Sequence, residues 1–202
     1  MSNDKIIERT GYNIDDQFAT YFITLTIVGW VDLFTRKECQ EILINSIKHC
    51  QKEKGLVVNA YALMPSHLHM IARCEEGGIG LSNIIRDLKT YTAKQLIKWI
   101  EEGGIESRSE WLKVVFTYHA KYNSNNSNYQ IWKQDNQPKL CAHPIFTRQK
   151  IAYIHNNPVA SGFVDEPDHY RLSSAAAYVG SDLGPLEVEI IDFGVEEGYV
   201  KT

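Results

Sequence analysis

Long apolar runs are missing from this chain. None of its 202 residues fall in a stretch approaching the ~18 consecutive apolar residues that a spanning helix needs, so no membrane partner is expected. Cysteine is scarce: Cys39, Cys50, Cys74 and Cys141 are the four, and none stands in C-x-x-C spacing. That excludes a disulfide-built scaffold and argues against a structural zinc site, as does the lack of an H-E-x-x-H segment. Cys39 and Cys50 fall eleven residues apart on one predicted helix, too far to bridge each other. Reduced, mostly buried thiols in a cytoplasmic protein are the expectation. The polar, charged stretch Met1 to Arg9 does not read as a secretory leader. Repeats are lacking too, and low complexity is confined to the Asn-Ser run Asn123 to Asn128.

Net charge is also small, at -4, but it is unevenly placed. Ser181 to Thr202 holds six acidic residues and one basic, whereas Arg86 to Lys150 holds eleven basic and six acidic. A mildly basic middle with an acidic tail is compatible with a polyanion partner, and equally with solvated helix faces. Apolar residues make up 44% and charged residues 23%, enough for one domain with a sizeable core. The expected organisation is a single domain over 1–180, with an insertion at about 105–128 and an acidic tail over 181–202.

Ala19 to Val28 is β-branched and aromatic and predicts a buried strand. A helix follows to about Lys54, with Thr35 as its cap, Cys39, Ile42, Leu43, Ile47 and Cys50 as its apolar stripe, and Gly55 as its stop. Leu56 to Met64 and His67 to Arg73 predict two antiparallel strands around a Pro65-Ser66 break. Ser82 is the expected cap of a second helix to Glu101, which turns Ile85, Leu88, Thr92, Leu96 and Trp99 inward and ends at Gly103-Gly104. A fourth strand is expected at Tyr129 to Gln134, after an extra helix over Glu110 to Lys121 that carries Trp111, Val114, Val115 and Tyr118. The order predicts an α+β fold, a ferredoxin-like βαββαβ antiparallel sheet with helices on one face. A last major helix is expected from Ile145 to Asn156, begun by Pro144 and ended by Pro158. Ser173 to Tyr178 predicts a short closing helix, and Leu186 to Ile191 a further strand in the tail.

Two pieces carry chemistry. Residues two apart in a strand share a face, so His67 and His69 present two imidazoles side by side. Such a pair can grip a metal ion; it is also what two hydrogen-bonded histidines on a sheet would look like. Tyr153 and Asn157 stand four apart and share a face of their helix. His155 falls on roughly the opposite side and is left out of the set. An amide oxygen is a hard ligand suited to Mg²⁺ or Mn²⁺, and a tyrosine beside a metal suits phosphate chemistry.

The run Tyr61-Ala62-Leu63-Met64-Pro65-Ser66-His67-Leu68-His69 resembles the H-x-H strand of the single-tyrosine HUH transposases. The run from Tyr153 through Asn157-Pro158 to Val164, followed by Tyr170-Arg171-Leu172-Ser173-Ser174-Ala175, resembles the branch called REP-associated tyrosine transposases. The resemblance spans about Thr20 to Tyr178 and departs from the family at Trp132-Lys133-Gln134-Asp135. It implies a ferredoxin-like core and a divalent metal on His67 and His69, with Asn157 as third ligand. It implies Tyr153 as the nucleophile that attacks a backbone phosphate of single-stranded DNA bearing a small hairpin. A 5′-phosphotyrosine link and a free 3′-OH result, which a later 3′-OH reverses during DNA transposition.

For DNA contacts the candidates are Arg86, Lys89, Lys133, Arg148 and Lys150, with Tyr122 and Tyr129 as aromatics able to stack on bases. Two rival functions stay open at this point: a non-catalytic DNA-binding or regulatory protein, and a metal-dependent phosphodiester hydrolase. Relatives of this kind work as monomers or homodimers, and the sequence does not choose.

Overall fold

The computed structural model describes residues 13–102, 106–122, 128–181 and 184–193. The first half forms where its patterns predict. β1 (Tyr21–Thr26), α1 (Lys37–Lys54), β2 (Leu56–Met64), β3 (His67–Cys74) and α2 (Leu81–Glu102) follow in that order. Then come α3 (Ser109–Lys121), β4 (Lys139–Leu140), α4 (Pro144–Ala160) and α5 (Ala175–Tyr178). The four strands make one antiparallel sheet in the order β2-β3-β1-β4, the ferredoxin-like arrangement.

Strand alternation sorts the side chains into two cores. Ile23, Leu25, Leu68, Met70 and Ala72 point to the α1 and α2 side, where Leu43, Ile47, Leu88 and Leu96 meet them. Phe22, Ala60, Ala62 and Ile71 point the other way, toward Ile151 and Ile154 of α4. The small Ala60 and Ala62 let α4 approach closely. So the two long helices cover one face, and the tyrosine helix lies on the opposite one. Among the described residues no helix is long and apolar enough to cross a membrane. All four cysteines are free, and burial pushes the Cys39 thiol up to about 12.

Several expected details differ. Thr35 does not cap α1; its hydroxyl donates to the Asp32 carbonyl, and Gly55 (φ 70) ends the helix as expected. Ser82 lies inside α2, whose first amides donate instead to Gln17: Leu81 N to its carbonyl and Ser82 N to its Oε1. The expected stop at Gly103-Gly104 and most of the Asn-Ser loop lie outside the described residues. In α3 the buried stripe is Leu112, Phe116 and Ala120, while Trp111, Val114 and Tyr118 face solvent. The fourth strand is not at Tyr129 to Gln134. Trp132 makes one isolated bridge to Ile27, and the ladder with β1 forms only at Lys139–Leu140. Between them Gln137 is in the left-handed region (φ 44) and Pro138 has no N–H, so a continuous strand cannot form. Pro158 does not end α4, which runs on to Ala160 with Pro158 buried. The Asn157 carbonyl is taken up by Ser161 N.

The described part of the acidic tail is packed. Leu186 enters the core, Glu189 N donates to the Val58 carbonyl at 2.9 Å, and Arg73 holds the Glu189 carboxylate at 3.0 Å. No strand ladder forms there; the segment lies along β2 as extended chain, and 194–202 lies outside the described residues. Further along the same edge, Leu63 N donates to Leu172 O and Ser174 N to Tyr61 O. Tyr61 N donates to Ser174 Oγ, and Tyr170 and Tyr178 donate their hydroxyls to Leu63 O and Asn59 O. His155, which the sequence leaves out of the site, is buried under this segment with Nε2 2.7 Å from Ser174 Oγ.

One ion cluster ties α3 to the loop after β1. The Glu106 side chain is 1% exposed and receives Arg36 at 2.8 Å and Arg108 at 3.0 Å, while Arg108 also reaches Asp32 at 2.6 Å. These two guanidiniums hold the Glu106 carboxyl down to about 2. Because the folded value lies below the ordinary one, the contribution is fully present above the unfolded carboxyl's range and is lost as pH falls through about 2. Glu106→Gln is expected to lower stability by about 2 kcal/mol at neutral pH, discounted because both arginines reach solvent. Urea midpoints check this, and the loss should shrink when the series is repeated toward pH 2.

Candidate functional site

The site is built on the sheet face that α4 covers. β1 and β3 pair so that Thr24 lies opposite His69 and Thr26 opposite His67. Opposite residues in an antiparallel pair share a face, so the threonines stand beside the imidazoles. Thr24 Oγ1 is 2.9 Å from His69 Nδ1, and Ser66 Oγ is 3.2 Å from His67 Nδ1. These contacts occupy both Nδ1 atoms and leave both Nε2 atoms free of them. The ring centroids are 4.6 Å apart. Phe22 stacks on His69 at 5.5 Å and supports it from the neighbouring strand.

Burial lowers the His67 pKa to about 4, with Lys133 adding to the effect. Burial lowers His69 to about 3, helped by His67 and Lys150. Both imidazoles are therefore neutral near pH 7, the form in which histidine binds metal.

α4 brings Tyr153 over this pair. Ile151 and Ile154 anchor the helix in the core, which leaves Lys150, Tyr153 and Asn157 along its flank. Tyr153 is 47% exposed, and its hydroxyl lies 3.5 Å from His69 Nε2, long for a hydrogen bond but directed at the ring nitrogen that Thr24 leaves unoccupied. Its ring meets His69 edge-on at 5.2 Å. Asn157 is half-buried one helical turn further on. The structure brings the two imidazoles and Tyr153 together, and it places Asn157 on the same flank of α4 as Tyr153. Among the described residues no group of three His, Cys, Asp or Glu side chains stands together as a metal cluster, so a metal here depends on the amide and on oxygens from outside the chain.

The five basic candidates separate in space. Lys150 is at the centre: its ammonium lies 5.1 Å from the Phe22 ring centroid and 5.4 Å from that of Tyr153. Lys133 stands on the other side, 4.4 Å over the Trp30 ring. Lys89 is different. Its ammonium donates to Lys133 O at 2.6 Å, Gln134 O at 3.2 Å and Asn136 Oδ1 at 2.8 Å, so it holds the loop rather than facing solvent. Burial lowers its pKa to about 8. Arg86 pairs with Asp87 on α2 and lines a groove of about 1070 Å³ between α2 and residues 128–138. Arg148 packs over Phe193 of the tail at 5.0 Å. Tyr122 is exposed, while Tyr129 donates to Glu101 at 3.2 Å. Sequence reasoning missed Thr24 and Phe22, whose signal is the pairing register of β1 with β3, and Trp30, which the turn after β1 brings to His67.

Residues 23–133 match the family described as Transposase IS200 like, more than half of the chain, and the chain belongs to that family. The match ends before α4, so the tyrosine helix lies beyond it. A solved structure described as a REP-associated tyrosine transposase bound to a REP hairpin superposes with a TM-score of 0.58. It is 19% identical, with 92% of this chain and 94% of that chain covered, a likeness that establishes the fold. No curated protein matches this chain.

Proposed function

We propose that this chain nicks single-stranded DNA next to a small hairpin and transfers the strand through a 5′-phosphotyrosine link. The observation that carries the reading is the approach of the Tyr153 hydroxyl to His69 Nε2, 3.5 Å, on the face where His67 and His69 stand together. Tyr153 O attacks the phosphorus, the bond from phosphorus to the 3′ oxygen breaks, and that oxygen takes a proton to become a 3′-OH. The phenol proton leaves to solvent, which the half-exposed ring admits. The ester keeps roughly the energy of the DNA link, so a later 3′-OH can reverse the step without a nucleotide triphosphate.

His67, His69 and Asn157 would hold a divalent ion, Mg²⁺ or Mn²⁺. When bound, it supplies charge neutralisation and orientation of the phosphate oxygens. The chain's own residues do the rest. Burial keeps the imidazoles neutral, Thr24 and Ser66 orient them, and the Lys150 ammonium adds positive charge beside the attacking ring. Because Tyr153 overlooks the histidines of its own chain, the geometry supports a site complete within one copy.

The deciding experiment incubates the protein with labelled hairpin oligonucleotides and Mg²⁺ or Mn²⁺, then runs a denaturing gel. A covalent protein–DNA band is expected. Cleavage without that band would favour a hydrolase, and binding without cleavage a regulatory protein. A finer prediction concerns Thr24. Thr24→Val removes the partner of His69 Nδ1 at nearly constant volume, and is expected to weaken Mn²⁺ binding by about 10- to 100-fold. Isothermal titration on the DNA-free protein measures it; unchanged affinity would remove the threonine from the site.

A further inference from the structure

Trp30 is out of place for a residue with only structural duties. Its indole is 58% exposed, whereas Trp132 nearby is 5% exposed. Its backbone is in the left-handed region at φ 55, directly after Gly29 at φ 63. A bulky side chain rarely adopts that conformation, and here it gains no burial in return. The turn is nonetheless firmly held. Trp30 N donates to Ile27 O at 3.1 Å, Ile27 N to Ser66 O at 2.9 Å, and Val28 N to Ile131 O at 2.8 Å. The turn therefore projects an aromatic ring into solvent from a fixed frame.

The ring stands against the site. It meets His67 edge-on with centroids 5.4 Å apart, and the Lys133 ammonium lies 4.4 Å from its centroid. Lys133 is held as firmly as the turn. Its N donates to Thr26 O at 2.8 Å, and its carbonyl receives the half-buried Lys89 ammonium. No carboxylate pairs with the Lys133 ammonium among the described residues. A half-exposed indole and an ammonium with no carboxylate partner among the described residues, both preset at the edge of the histidine pair, match the two parts of a nucleotide: a flat base and an anionic phosphate. The base must be unpaired, because within a duplex its faces are already stacked.

We propose that Trp30 and Lys133 form a nucleotide subsite beside His67, in which the indole stacks on an unpaired base and the ammonium holds its phosphate. The proposal rests on the strand-nicking reading and adds the place where the strand next to the reacting phosphate is gripped. The half-buried Lys89 acquires a role in it: it fixes the loop that aims Lys133.

The test measures binding on the Tyr153→Phe background, so that no turnover intrudes. The probes are a short fluorescein-labelled thymidine oligonucleotide and an abasic oligonucleotide of the same length and phosphate count. The thymidine strand is expected to bind about tenfold tighter than the abasic one. Trp30→Ala should erase that preference, and Trp30→Phe should restore most of it. Lys133→Gln should weaken both probes and reduce the slope of log affinity against log salt by about 0.7. A preference for bases that survives Trp30→Ala, or no preference at all before the change, overturns the subsite. A wild-type protein that forms no covalent adduct with hairpin DNA sinks the nicking reading instead, while this binding comparison still decides the subsite.

Discussion

Tyr153→Phe is expected to abolish the covalent DNA adduct, a fall of more than about 10³-fold, while hairpin binding stays within a few-fold of wild type. The substitution removes one oxygen and leaves the ring, so the edge contact with His69 at 5.2 Å and that with Phe22 at 6.0 Å are kept. The ring is also 47% exposed, so little stability depends on the hydroxyl. Denaturing gels read the adduct and fluorescence anisotropy reads the binding. If adducts persist, the nucleophile is another residue and the assignment of Tyr153 is lost.

His69→Ala should lower cleavage by about 10²-fold or more, and added Mn²⁺ should recover only part of it. His69 sits at the crossing of three contacts of the face: Thr24 at its Nδ1, Tyr153 at its Nε2, and Phe22 on its ring. A ligand loss would appear in the metal titration of the DNA-free protein as well as in the gel. A drop in cleavage with Mn²⁺ affinity unchanged would instead mean that His69 only positions the tyrosine.

Much of this face was legible in the amino acids. The period of two in a strand puts His67 and His69 on one side without any tertiary information, and the period of the helix does the same for Lys150, Tyr153 and Asn157. The hairpin from β2 to β3 also follows directly, because an apolar run broken by Pro65-Ser66 leaves few alternatives. What was hidden depends on register. Thr24 is 45 residues from His69, and nothing local says that the two lie opposite each other. Trp30 is hidden for the same reason, since its neighbours His67 and Lys133 come from distant segments.

Other departures come from tertiary context overriding a local signal. α3 has apolar residues on two stripes, and periodicity cannot choose between Trp111, Val114, Tyr118 and Leu112, Phe116, Ala120; the set without an indole N–H or a phenol hydroxyl is the buried one. Pro158 is a strong stop in isolation, yet α4 continues past it to Ala160 with the proline ring buried. That continuation keeps Asn157 in helical register with Tyr153. Gln137-Pro138 interrupts the fourth strand, so an edge that looked continuous is stitched to β1 at separate points.

The outer margin of β2 has a consequence for how copies of the molecule can meet. Val58, Asn59, Tyr61 and Leu63 direct their outward main-chain groups to Glu189, Tyr178, Ser174, Leu172 and Tyr170 of the same chain. A bare margin would be a template on which a second molecule could add its own strand and so begin uncontrolled growth. Here the template is already used up by the chain that carries it. Among the described residues, the two-residue β4 forms the far edge and is too short to seed such pairing.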